Sequence, residues 1–324
     1  MAAMRPFRFL GLAAAGIVDA RQLTDTARRA ESLGYSALVL PDHLVEQHAP
    51  IPIMAMVAAA TERLRIGTFV LNVDLRHPAV LAQDLASIDM LASGRLEIGI
   101  GAGWSRPEYD AVGLPFHPVG TRVARLREAV AVLKGCFADG PFSFAGEYYT
   151  ITGHEGLPKP VQRPHPPFLI GGGGQRLLTL AGQQADIVGL APRMMPMAGN
   201  RTQPTADPRS LTATATDEKI HWVRSAAGDR WGQLEINAYS LGGAPLVVTN
   251  NAKAEAQDRV DQMYKRSGVE LSVAEVLESP HFYIGSVDGL VQKIIEMRER
   301  HGVSAVMLGD VDAGASIVER LAGR

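Results

Sequence analysis

Cysteine is almost absent from this chain: Cys136 stands alone, so no disulfide framework, CxxC pair or cysteine-based zinc site can be built. That fits a reducing compartment, and a cytoplasmic protein is expected. An excess of charge of either sign is also missing. Lys and Arg number 32 against 34 Asp and Glu, a formal net charge of −2, which gives no electrostatic reason to expect nucleic acid or an anionic membrane as a partner. Long hydrophobic runs are lacking too; none approaches the roughly 20 residues needed to span a bilayer. Met1 to Leu10 carries Arg5 and Arg8 but no long apolar region ending in a cleavage site. Lysine is scarce. Lys134, Lys159, Lys219, Lys253, Lys265 and Lys293 all fall in predicted helices or loops, against a Schiff-base enzyme that wants its lysine at a strand end. GxSxG and HExxH are absent, no GxGxxG follows the first strand, and no metal site is expected.

What is present is an ordinary globular composition, 46% apolar and 20% charged, over 324 residues, enough for one large barrel or two smaller domains. Strand and helix patterns alternate along it. Apolar strands are expected at 7–12, 36–40, 64–71, 96–100, 167–170, 186–190, 234–241 and 303–308, with amphipathic helices between them. Helix signals include Asp19 as a cap, Gly34 and Gly94 as stops, and Pro78 as a start. Eight such repeats predict an α/β protein, a single (β/α)8 TIM barrel over 1–324 with insertions at the C-terminal face. Residues 194–216, rich in Pro, Thr, Ala, Met and Asn, break the rhythm and read as a long mobile loop, a lid after the sixth strand.

In a barrel the chemistry sits at the C-terminal ends of the strands. The fifth strand runs into Gly171-Gly172-Gly173-Gly174-Gln175-Arg176 and a helix. Backbone without side chains can approach an anion closely, and the helix N-terminus favours the same anion, so the run reads as a phosphate cradle. A tight strand-to-helix turn is the other reading. After the second strand stands Asp42-His43, a pair suited to proton transfer, with Asp42 holding a ring nitrogen or capping the next segment. Asn72 ends the third strand, as a ring-binding polar tip or a turn residue; His77, before Pro78, reads as a helix-start residue. Gly101-Ala102-Gly103-Trp104 ends the fourth, with small residues leaving room for a flat ligand and Trp104 as a wall or an apolar plug. Glu108, four residues on, is within reach of the mouth but is not counted among the site residues. One acid/base group, aromatic walls and a phosphate cradle suit a cofactor that performs the chemistry itself.

These residues occur within a longer series: Gly34-Tyr35, Leu40-Pro41-Asp42-His43, Arg65-Ile66-Gly67-Thr68, His77-Pro78-Ala79-Val80-Leu81-Ala82, Ser93-Gly94-Arg95-Leu96, Gly99 to Trp104, Pro158 to Gly174 and Gly285-Ser286. In this order they resemble the bacterial luciferase-like monooxygenase superfamily, and more closely its coenzyme F420-dependent oxidoreductases. The resemblance implies a flavin-type ring in the barrel mouth, flanked by Asp42 and His43. It also implies a phosphate on Gly172, Gly173, Gly174 and the backbone of Gln175, and a non-prolyl cis peptide at Phe69–Val70. Where the sugar-phosphate dehydrogenases of the family carry a glutamate, this chain has Trp104, so a sugar-phosphate substrate is not expected. The implied activity is hydride transfer between F420 and a small organic substrate by a homodimer. An FMN-dependent monooxygenase using O2 and a non-catalytic flavin-binding barrel are the alternatives.

Overall fold

The structure, a computed structural model, describes residues 5–13, 19–195, 205–240 and 246–324. Eight parallel strands carry it: β1 (Arg8–Leu12), β2 (Ala37–Leu40), β3 (Arg65–Thr68), β4 (Leu96–Gly101), β5 (Phe168–Gly172), β6 (Ile187–Leu190), β7 (Glu235–Tyr239) and β8 (Val303–Gly309). The sheet order is β3-β2-β1-β8-β7-β6-β5-β4, and β3 pairs in turn with β4, so the ring closes. This is the (β/α)8 barrel that the alternation predicts. β2, β4 and β6 are buried at every residue, which is why they read as unbroken apolar runs rather than alternating ones.

By contact density the chain divides into two compact units, one of Met1–Leu12, Ser32–Ala37 and Gly171–Arg324, the other of Ala13–Glu31 and Leu38–Ile170. In the second, the helix Ala20–Leu33 buries Leu23, Ala27 and Ala30, and Asp19 caps it by accepting the Gln22 N–H at 2.8 Å. The helix Pro78–Leu91 starts as expected: His77 Nδ1 accepts the Ala79 N–H at 3.3 Å, and Pro78 occupies the first turn, where its missing N–H is not needed. Its fully buried Asp89 accepts from the Gln162 N–H at 2.9 Å and from Gln162 Nε2 at 2.7 Å, which anchors the proline-rich segment before β5. The hairpin Phe142–Ala145 with Thr150–His154 forms near its expected place. Among the described residues no helix is long and apolar enough to cross a membrane.

Three local expectations need correction. The third strand is not continuous over 64–71; it breaks after Thr68 and resumes as Leu71–Asn72, which pairs with Ile100 and Gly101. A short helix, Arg106–Ala111, follows β4 where no element is expected, because six residues are too few to show a period. The expected loop 194–216 is structured on its described flanks. Met194 bridges Ala206, Asp207 and Thr212 act as caps, and helix Ala213–Ala227 begins four residues before the expected 217. Caps and a 3-10 turn at Pro208–Leu211 satisfy backbone groups that composition alone marks as free. The middle of the expected lid, 196–204, lies outside the described residues.

Candidate functional site

Asp42 and His43 follow directly on the end of β2. Asp42 points inward and is 5% exposed. Its carboxylate receives both guanidinium nitrogens of Arg76, at 2.6 and 3.1 Å, and the Asn72 N–H at 3.0 Å. It therefore ties the end of β2 to the segment after β3 and does not hold the His43 ring, as one expectation had it.

That role falls to Glu108. The helix Arg106–Ala111 carries Glu108 Oε1 to 2.9 Å from His43 Nδ1, while Oε2 accepts the Leu44 N–H at 2.7 Å. Burial raises the Glu108 pKa, but the Ser105 hydroxyl, the Leu44 N–H and His43 more than offset it, so the carboxyl lies below its ordinary range and stays ionised. Trp104, 46% exposed, sets its ring edge-on to the His43 ring at a centroid distance of 5.4 Å. The sequence places Glu108 within reach of the mouth, but its pairing with His43 is not legible there, because Glu108 lies one helical turn beyond the glycine pattern on an element too short to show a period.

The peptide Phe69–Val70 is cis, as the family resemblance implies. Around it the glycines of β4 serve the protein's own atoms. A Cβ on Gly99 would lie 1.8 Å from the Thr68 carbonyl oxygen, one on Gly101 2.7 Å from Val70 Cγ2, and one on Gly103 1.9 Å from the Tyr109 hydroxyl. The space that the small residues suggest for a flat ligand is taken by Thr68, Val70 and Tyr109; Ala102 is itself buried. Asn72 Oδ1 accepts the Asp74 N–H at 3.1 Å and lies 2.9 Å from the Tyr109 hydroxyl, which also reaches Asp74 Oδ2 at 2.9 Å. Arg125 pairs with Asp74 at 3.2 Å, and Arg122 binds the Gly103 carbonyl at 3.0 Å while stacking over Phe116. Asn72 is thus a turn cap whose oxygen is committed.

In the other unit the four glycines divide by role. A Cβ on Gly172 would lie 2.6 Å from Leu177 Cδ2, and one on Gly173 2.2 Å from the Pro192 carbonyl oxygen, so both are required by close packing. A Cβ on Gly174 would meet nothing within 4 Å. Gly174 is the N-cap of helix Gln175–Gln184, which has no side-chain cap, and Gln175 and Arg176 are exposed. A helix N-terminus without a side-chain cap, at a glycine whose Cβ position is open, fits a phosphate. Lys219, placed on a helix by sequence, reaches the end of β6: its buried Nζ donates to the carbonyls of Ala191 and Ser210, both at 2.7 Å. Burial, then Arg193, pushes its pKa down to about 7.

A sequence profile of the luciferase-like monooxygenase family matches residues 3–205. The chain is 37% identical over 173 residues to the F420-dependent glucose-6-phosphate dehydrogenase of Kineococcus radiotolerans, covering 51% of this chain and 50% of that protein. It is 34% identical over 140 residues to the FMNH2-dependent dimethylsulfone monooxygenase of Pseudomonas putida, covering 43% and 38%. The chain thus spans half or less of the length of these two relatives. Its fold is similar to that of the coenzyme F420-dependent tetrahydromethanopterin reductase from Methanopyrus kandleri, with a TM-score of 0.74, 19% identity and 99% of each chain covered.

Proposed function

The chain belongs to the luciferase-like monooxygenase family, and from that premise we propose that it is an F420-dependent oxidoreductase acting on a small organic substrate. The observation that carries the proposal is His43 at the C-terminal end of β2, its Nδ1 engaged by Glu108 at 2.9 Å and its ring beside the exposed Trp104. Bound F420 supplies a deazaflavin ring that gives or takes a hydride. The chain's own part is to bind, orient and handle the accompanying proton. Trp104 walls the space next to His43, and the segment Phe69–Val70 backs the ring. His43 gives or takes one proton at Nε2. In this reading Asp42, Asn72, Gly101, Ala102 and Gly103 support the ring site, while in the other unit a phosphate is held at Gly174 and the backbone of Gln175, and Gly172 and Gly173 let that turn pack closely. A cytoplasmic homodimer is part of this reading, and the one cysteine, Cys136, is buried and free, as suits a reducing compartment.

Titration of the apo-protein with F420 and with FMN tests the cofactor. Micromolar binding of F420 alone is the expected result, and binding of FMN alone would replace the reading. His43→Ala should lower turnover roughly 100-fold or more with cofactor affinity held; unchanged turnover would remove His43 from the mechanism. The second reading, an FMN-dependent monooxygenase, is favoured by the similarity to the dimethylsulfone enzyme. Flavin-dependent consumption of O2 coupled to substrate would establish it.

A further inference from the structure

We infer that Glu108 is the positioning residue of the site: it fixes His43 as the Nδ1–H tautomer and so makes Nε2 the atom that exchanges a proton with substrate. This rests on the functional reading above for its chemistry, but its geometry stands independently. One carboxylate engages His43 Nδ1 at 2.9 Å and the Leu44 N–H at 2.7 Å, and also accepts from the Ser105 hydroxyl. An ionised carboxylate only accepts, so the Nδ1 facing it must carry the proton. The Leu44 contact pins the backbone next to His43, leaving the ring little freedom to turn away. Asp42, the neighbour in sequence, cannot substitute, since its oxygens are taken by Arg76 and the Asn72 N–H. The ring also packs T-shaped against Trp104 at a centroid distance of 5.4 Å.

The consequence for the reaction is balanced. When substrate is oxidised, the proton it gives up passes to Nε2, and the hydride would be accepted by the bound cofactor. His43 then carries both ring protons, and the imidazolium charge forms against the Glu108 carboxylate. Reduction runs the same transfers backwards. The carboxylate never takes the proton; it holds the ring and stabilises the charge.

Glu108→Gln distinguishes this from a merely structural tie, because the amide is nearly isosteric. Its single oxygen can still accept the Leu44 N–H, but its NH2 then faces Nδ1 and donates, which inverts the tautomer to Nε2–H. In 15N-histidine-labelled full-length apo-protein, with the His43 signals identified by their loss in His43→Asn, the wild type should show Nδ1 protonated and Nε2 bare. Glu108→Gln should show the reverse. Turnover should fall on the order of 10- to 100-fold in Glu108→Gln, yet Glu108→Gln should cost nothing further in a His43→Ala background. A wild-type Nε2–H tautomer, an unchanged tautomer in Glu108→Gln, or an additive loss in the double variant would overturn the inference. Absence of F420 turnover with the tautomer pattern intact would overturn the functional reading alone.

Discussion

Asp42 and Arg76 form a bidentate ion pair, at 2.6 and 3.1 Å, between the end of β2 and the segment leading to the helix Pro78–Leu91. Planar guanidinium against planar carboxylate is the geometry in which such a pair is strongest. It makes Asp42 a fastening beneath His43 rather than a partner of its ring.

Removing the cation should therefore damage the fold more than the chemistry. Arg76→Ala leaves a buried carboxylate with one backbone donor, and a loss of about 2–4 kcal/mol is expected, short of the full cost of a broken buried pair because Arg76 is itself 24% exposed in its side chain. Urea unfolding measures it. If Asp42→Asn lowered turnover as far as His43→Ala while leaving stability untouched, Asp42 would belong to the chemistry after all.

Gly103 sits at a φ of +69° with Tyr109 where a side chain would be. Gly103→Ala should destabilise by about 1–3 kcal/mol, from overpacking and from the left-handed backbone. Tyr109→Phe in the same chain should restore part of that loss, since it removes the hydroxyl 1.9 Å from the new Cβ. Thermal unfolding of the two singles and the double decides; strictly additive effects would mean that the clash is relieved elsewhere.

The glycine run should respond unequally. Gly173→Ala meets the Pro192 carbonyl oxygen at 2.2 Å and is expected to lower the melting temperature. Gly174→Asp meets open space, so the protein should keep its stability. Its carboxylate would repel a phosphate, and affinity for F420 should drop more than tenfold while affinity for the dephosphorylated deazaflavin core holds. Equal loss for both ligands would separate Gly174 from phosphate binding.

Glu31 offers a pH test. Burial raises its pKa, but the N–H groups of Arg63, Leu64 and Glu62, which it accepts at 2.6, 2.8 and 3.0 Å, lower it further, so the net value lies below its ordinary 4.5. A carboxyl depressed in the folded state contributes stability that is present above its unfolded pKa and lost as the pH falls through the folded one. Wild type should melt above Glu31→Gln at pH 6, and the gap should narrow as the pH falls below 4.5 and Glu31 protonates. A gap that does not narrow on acidification would assign the difference to packing.

The sequence by itself determined the barrel. Buried strands read as apolar runs and helices as one-sided periods, and eight of each leave little choice of architecture; the caps Asp19 and His77 and the stop at Gly94 were legible for the same local reason. It also pointed to His43, Trp104 and the glycine run, since each stands at a strand end. What it left open were partners and directions. Nothing local tells that Asp42 turns inward to Arg76 while His43 turns to Glu108, 65 residues away. Nor does it tell that Gly99, Gly101 and Gly103 yield their space to Thr68, Val70 and Tyr109, or that Gly174 alone of its run faces open space. Periodicity is a property of neighbours along the chain, whereas a hydrogen bond or a clash is set by distance between segments that only the closed sheet brings together.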